Sequence, residues 1–122
     1  SQTRDFTYVE DTARGILLAG THEAAIGKTL NLGSGYEIPI HELAETVKQV
    51  CGVPDAEIIH EIPRPGDVLR LYADSSRAGE LVGFEPQVSL AEGLQRLKTW
   101  YEGQGTSPED LLQSETVRNW EA

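Results

Sequence analysis

Arg64-Pro65-Gly66-Asp67 puts a guanidinium and a carboxylate at the outer positions of a four-residue turn. Proline pre-sets the first central position and glycine accepts the positive φ of the second, so a type II turn is expected. An arginine at such a place forks onto phosphate oxygens, while the aspartate accepts hydrogen bonds from sugar hydroxyls. The plain alternative is a surface turn with an Arg–Asp pair across it. Arg4, beside the β-prone run Phe6 to Val9, is the other basic residue set where it could meet an anion.

Other chemistries have less support. His22, His41 and His60 have no carboxylate or thiol at a metal-ligand spacing. No G-x-S-x-G elbow occurs, and Ser75, Ser76, Ser89 and Ser107 all stand where helix caps are wanted. The acidic pairs Glu10-Asp11 and Glu109-Asp110 lie at expected helix starts, where the helix dipole favours negative charge. Trp100-Tyr101 closes a helical pattern and reads as core and interface, since only Arg96 and Lys98 lie near it in sequence. Gly33-Ser34-Gly35 raises a dinucleotide loop, but Ile38 occupies the place of the third glycine of G-x-G-x-x-G; a plain strand-to-helix turn is expected.

Twenty acidic against ten basic side chains give a net charge of -10, a field that repels nucleic acid and anionic lipid. A phosphate-bearing ligand must therefore be held by local arginines. The hydrophobic fraction of 39% carries no long apolar run, so neither a signal peptide nor a membrane span is expected. The single Cys51 excludes an internal disulfide, fits a reducing cytoplasm and reads as a small buried residue at a helix end. Ser1 stands where an initiator Met would, and a strand-like segment follows at once; an upstream portion is expected to have been removed, although trimming of a Met before Ser1 would also account for the first residue.

The elements that must position the arginines alternate between strand and helix. Phe6 to Val9 reads as a strand, and Asp11 as the N-cap of a helix through Ala19. Lys28 to Leu32 alternates as a strand into the Gly33 turn. Pro39 suits a first helical turn, with Ile40, Leu43, Ala44, Val47 and Val50 as the apolar stripe and Gly52 as the stop. Ile58 to Ile62 suggests a strand feeding the Arg64 turn, and Leu69 to Asp74 alternates after it. Ser75-Ser76 caps a short helix closed by Gly83, Ser89 with Glu92 forms a capping box for a helix through Tyr101, and Pro108 opens another, with Leu111, Leu112, Val117 and Trp120 available for docking. The acidic end is expected to fray. This order favours an α/β fold with a small, partly parallel sheet and amphipathic helices, too small a sheet to cover all its apolar faces alone.

The ordered set Arg4-Asp5-Phe6-Thr7-Tyr8-Val9-Glu10-Asp11, Leu30-Asn31-Leu32-Gly33-Ser34-Gly35, Arg64-Pro65-Gly66-Asp67-Val68, Ala73-Asp74 and Gly83-Phe84-Glu85-Pro86, leading into Ser89-Leu90-Ala91-Glu92-Gly93-Leu94, resembles the C-terminal part of an extended short-chain dehydrogenase/reductase. The resemblance is to the NAD-dependent nucleotide-sugar epimerase/dehydratase group and covers about residues 2 to 101. It implies a parent enzyme whose N-terminal Rossmann domain holds NAD(P) and whose C-terminal region recognises a nucleotide-diphosphate sugar. By that likeness Arg4 and Arg64 contact the diphosphate, and Asp67 contacts a ribose hydroxyl or positions Arg64.

The family's Tyr-x-x-x-Lys pair is missing: Tyr8, Tyr36, Tyr72 and Tyr101 are followed four residues on by Thr12, Ile40, Ser76 and Gly105. Proton abstraction from a sugar hydroxyl needs such a base, and hydride transfer needs the cofactor. The first reading is thus a substrate-binding region, residues 1–102, with a helical tail at 103–122, inactive and without NAD(P) on its own. The partners it expects are a nucleotide-diphosphate sugar, the absent Rossmann domain and a second copy of the chain. The second reading is a stand-alone module that self-associates or binds a protein partner.

Overall fold

A computed structural model of the chain describes residues 2–113. Among these, three short strands and five α-helices follow in the order β1 (Thr3–Arg4), α1 (Val9–Thr21), a 3-10 turn (Glu23–Ala25), β2 (Ile38–Pro39), α2 (Ile40–Cys51), β3 (Arg70–Leu71), α3 (Ser76–Val82), α4 (Leu90–Gly103) and α5 (Pro108–Gln113). The sheet order is β2-β1-β3. β1 runs antiparallel to β2, with Thr3 opposite Pro39, and parallel to β3, with Thr3 opposite Arg70 and Arg4 opposite Leu71. The mixed α/β class expected from the alternation is the one observed.

Helix ends follow local chemistry. The Ser89 hydroxyl accepts the Glu92 N–H at 3.3 Å and starts α4. Gly52 and Gly83 close α2 and α3 in the left-handed conformation. At the end of α3 the Phe84 N–H returns to the Ala78 carbonyl (3.3 Å) and the ring is buried against Ala78 and Val82. Leu18 of α1, Ala25, Leu30, Leu32 and Leu81 complete this core, while α2 packs on α4 as a second layer.

Several expected elements are absent or displaced. The Phe6 to Val9 run is not a strand: the ladder stops at Arg4, and Val9 already opens α1 with Tyr8 at the N-cap. Asp11 is therefore not the cap but sits inside the first turn, 2% exposed. Lys28 to Leu32 and Ile58 to Ile62 form no ladder among the described residues, and the strand after the turn shrinks to Arg70–Leu71. In Lys28 to Leu32 the alternation reflects which side chains reach the core, Leu30 and Leu32, and a strand also needs a neighbour. Cys51 is exposed rather than buried, because α2 and α4 leave an apolar groove open beside it. Trp100 and Tyr101 are likewise 56% and 45% exposed, touching edge to face. Val117, Trp120 and the expected fraying of the acidic end lie outside the described residues.

Candidate functional site

β1 places Arg4 at the centre of the sheet, and the Arg64 turn reaches it from 63 residues away. Arg4 Nη2 donates to Asp67 Oδ1 at 2.5 Å, and Arg4 Nη1 to the Thr3 carbonyl at 2.7 Å. The second Asp67 oxygen accepts the Gln2 side-chain amide. The turn has the expected form: the Asp67 N–H reaches the Arg64 carbonyl (3.3 Å) and Gly66 has φ of 75°. Arg4 and Asp67 are thus brought together, while Arg64 stands exposed at the entrance to the turn. Beside them lies a cleft of about 340 Å³ lined by Arg4, Asn31, Gly33, Leu71, Tyr72 and Ala73 among others.

Asp5 holds that cleft together. Its carboxylate accepts the N–H groups of Ser34 (2.8 Å), Gly35 (3.0 Å) and Ala73 (3.1 Å) and the Thr7 hydroxyl (3.1 Å). Burial pushes its pKa up, but the hydrogen bonds from Ser34, Ala73 and Gly35 outweigh that and hold it below the usual aspartate value. Gly33 is tied in as well, its N–H and carbonyl both bonded to the Ser75 hydroxyl (3.0 and 3.1 Å). A β-carbon on Gly33 would lie 2.5 Å from that of Ala73 and 2.7 Å from Asp5 Oδ2, so only glycine lets these segments close. Ser75 therefore spends its hydroxyl on Gly33 and makes no side-chain cap on α3.

On the other face of the sheet Arg70 forks onto Glu37, with Nε to Oε1 at 2.9 Å and Nη2 to Oε2 at 2.5 Å, and the Thr3 hydroxyl adds a third bond (2.8 Å). These donors hold the Glu37 carboxyl at a pKa of about 2. The pair fastens β3 to the approach to β2 across β1.

Asp11 is a second buried clasp. It accepts the Gln87 and Val88 N–H groups at about 3.0 Å and the Arg14 guanidinium at 2.6 Å, joining α1 to the entry of α4. Arg14 also lies over the Phe84 ring, 5.7 Å from its centroid, and Arg96 over Tyr8 at 5.3 Å. Sequence reasoning assigned Asp5 no role and took Asp11 for a cap. Their backbone N–H partners lie 29 to 77 residues away, and no local signal announces them.

The structure argues against a cofactor phosphate at Gly33-Ser34-Gly35. A dinucleotide loop offers its N–H groups to a pyrophosphate, whereas those of Ser34 and Gly35 already point at Asp5. Among the described residues no helix is long and apolar enough to cross a membrane, and no cluster of three metal-ligating side chains occurs.

Comparison with known proteins places this architecture. Residues 1–97 match the family model described as GDP-mannose 4,6 dehydratase. A putative UDP-glucose 4-epimerase of Methanocaldococcus jannaschii is 38% identical over 100 residues, 82% of this chain and 31% of that protein. The UDP-glucose 4-epimerase of Mycolicibacterium smegmatis is 39% identical over 94 residues, 77% of this chain and 29% of its own length. Among solved structures, an epimerase of Methanothermobacter thermautotrophicus superposes with a TM-score of 0.80 at 38% identity, over 85% of this chain and 31% of that one. The chain thus spans about 30% of the length of the relatives it matches. Family match, sequence identity and superposition agree: the chain belongs to the GDP-mannose 4,6-dehydratase family of extended short-chain dehydrogenases/reductases, alongside the UDP-glucose 4-epimerases.

Proposed function

We propose that these residues are the nucleotide-diphosphate-sugar recognition region of an NAD-dependent sugar epimerase or dehydratase. Arg4 and Arg64 hold the diphosphate, and Asp67 serves the ribose. The observation that carries this is the meeting of Arg4 with the Arg64-Pro65-Gly66-Asp67 turn through the Arg4–Asp67 bond, at the mouth of a cleft of ligand size. Two arginines in an otherwise acidic chain supply the local charge that a diphosphate needs. Relatives point the same way: the Thermotoga maritima UDP-glucose 4-epimerase, 33% identical, was solved with UDP-glucose, and a Bacillus cereus UDP-glucuronic acid 4-epimerase, 28% identical, with UDP-glucuronic acid and NAD.

In this reading the catalytic base and the NAD site belong to a companion Rossmann region, and these 122 residues alone carry out no hydride transfer. Titration calorimetry with UDP and GDP tests it. Arg64→Ala is expected to weaken the better ligand by about 10- to 100-fold, the loss of one charge-assisted contact of about 1.5–3 kcal/mol. An affinity unchanged by both Arg64→Ala and Arg4→Ala would remove the site.

The second reading, a self-associating module without sugar chemistry, draws on the exposed apolar face of α1, where Val9, Ile16 and Leu17 are 70%, 62% and 66% exposed. Under it, neither nucleotide binds and sedimentation shows a concentration-dependent oligomer.

A further inference from the structure

The Asp67 carboxylate lies against Arg4, where the nucleotide-sugar reading needs a phosphate. A carboxylate and a phosphate present the same pair of acceptor oxygens to a guanidinium, so the two compete for one donor edge. Three features make the occupant exchangeable. Arg4 is also anchored through Nη1 to the Thr3 carbonyl, so its guanidinium keeps a fixed partner when Asp67 leaves. Asp67 sits on a turn whose surroundings are open: nothing lies within 4 Å of where a Gly66 β-carbon would be, and residues 59–72 are exposed throughout. The pair itself is solvent-accessible, 21% and 37% exposed at Arg4 and Asp67, so breaking it costs only about 1 kcal/mol.

We propose that Asp67 is a place-holder: it holds Arg4 in the free chain, releases it to the incoming diphosphate, and swings with its turn to accept the ribose hydroxyls. The exchange rests on the nucleotide-sugar reading. It makes Asp67 a specificity-determining residue, because a bare pyrophosphate must displace the carboxylate without offering it a new partner, whereas a nucleoside diphosphate offers its ribose.

The test compares inorganic pyrophosphate with UDP on the 122-residue chain by calorimetry. Asp67→Asn keeps the shape of the side chain and removes its charge. It is expected to bind pyrophosphate about fivefold more tightly than the parent, the release of one exposed ion pair. UDP gains less or loses, so the preference for UDP over pyrophosphate narrows. Gln2→Ala, which leaves the Asp67 charge but removes its second hydrogen bond, shifts pyrophosphate in the same direction by less. If UDP binds the parent chain but Asp67→Asn binds pyrophosphate equally or more weakly, the exchange is wrong and the recognition reading stands. If neither ligand binds the parent or Asp67→Asn, the reading falls and the exchange with it.

Discussion

Asp5 shows how much of the site depends on one residue without chemistry of its own. Four donors converge on it from β1's exit, the Gly33 turn and β3's exit, and the wall of the cleft is made of those segments. Asp5→Ala leaves three backbone N–H groups without that acceptor and is expected to cost about 2 to 3 kcal/mol, read from urea unfolding at neutral pH. The sign of the pH dependence follows from its lowered pKa. Its contribution is complete above the ordinary aspartate value of 3.8 and is lost as the pH falls through the lower folded value, so the parent and the variant converge in acid. A gap that stayed constant down to the folded pKa would mean that the carboxylate's charge is not what the donors read. The turn at Arg64 was legible from sequence because Pro65 and Gly66 dictate it locally. Asp5 and Asp11 were not: the local context of Asp5 carries no signal and that of Asp11 reads as a cap, while their main-chain donors arrive from Ser34, Ala73 and Gln87.

Helices and strands of this chain were legible to different degrees, for a physical reason. α2, α4 and α5 follow from caps, stops and a 3.6-residue period, all encoded within the helix. The strands are two residues long and exist only as pairings between residues 34 to 36 apart on one side of β1 and 67 apart on the other, which alternation cannot report. α1 tests the packing directly, since it carries two interior glycines in opposite settings. A β-carbon on Gly15 would lie within 2.9 Å of both Leu32 and the Phe84 ring, whereas nothing lies within 4 Å of one on Gly20. Gly15→Ala must push the helix off the core and is expected to destabilise by about 1 to 3 kcal/mol. Gly20→Ala gains helix propensity at no steric cost and is expected to stabilise by up to about 1 kcal/mol. Equal effects at the two positions, measured by thermal unfolding, would show that α1 does not lie on Leu32 and Phe84 as described.

The molecule as a whole exposes 9096 Å², against roughly 6,500 Å² for a folded monomer of its mass. Among the described residues the buried apolar side chains are Ala78, Val82 and Phe84. Part of the exposed apolar surface is on α1, where Val9, Ile16 and Leu17 lie along one face, and the neighbouring Lys28 to Leu32 alternates like a strand yet joins no ladder among the described residues. A sheet edge that paired with residues 28–32 would also bring a layer against α1, covering both features at once. This is what a companion Rossmann sheet does under the proposed function, and hydrogen exchange distinguishes it from self-association. Mixing or co-expressing the chain with the N-terminal two-thirds of a related epimerase is expected to slow exchange at residues 28–32 and along α1, while α2 and α4, already packed on each other, change little. Nucleotide affinity is expected to rise in the same complex, since the Asp5 clasp ties the Gly33 turn, the continuation of residues 28–32, to the cleft wall. Protection confined to the α2–α4 groove, where Cys51 and Tyr101 lie open, would instead locate the partner on the opposite layer and detach it from the nucleotide site.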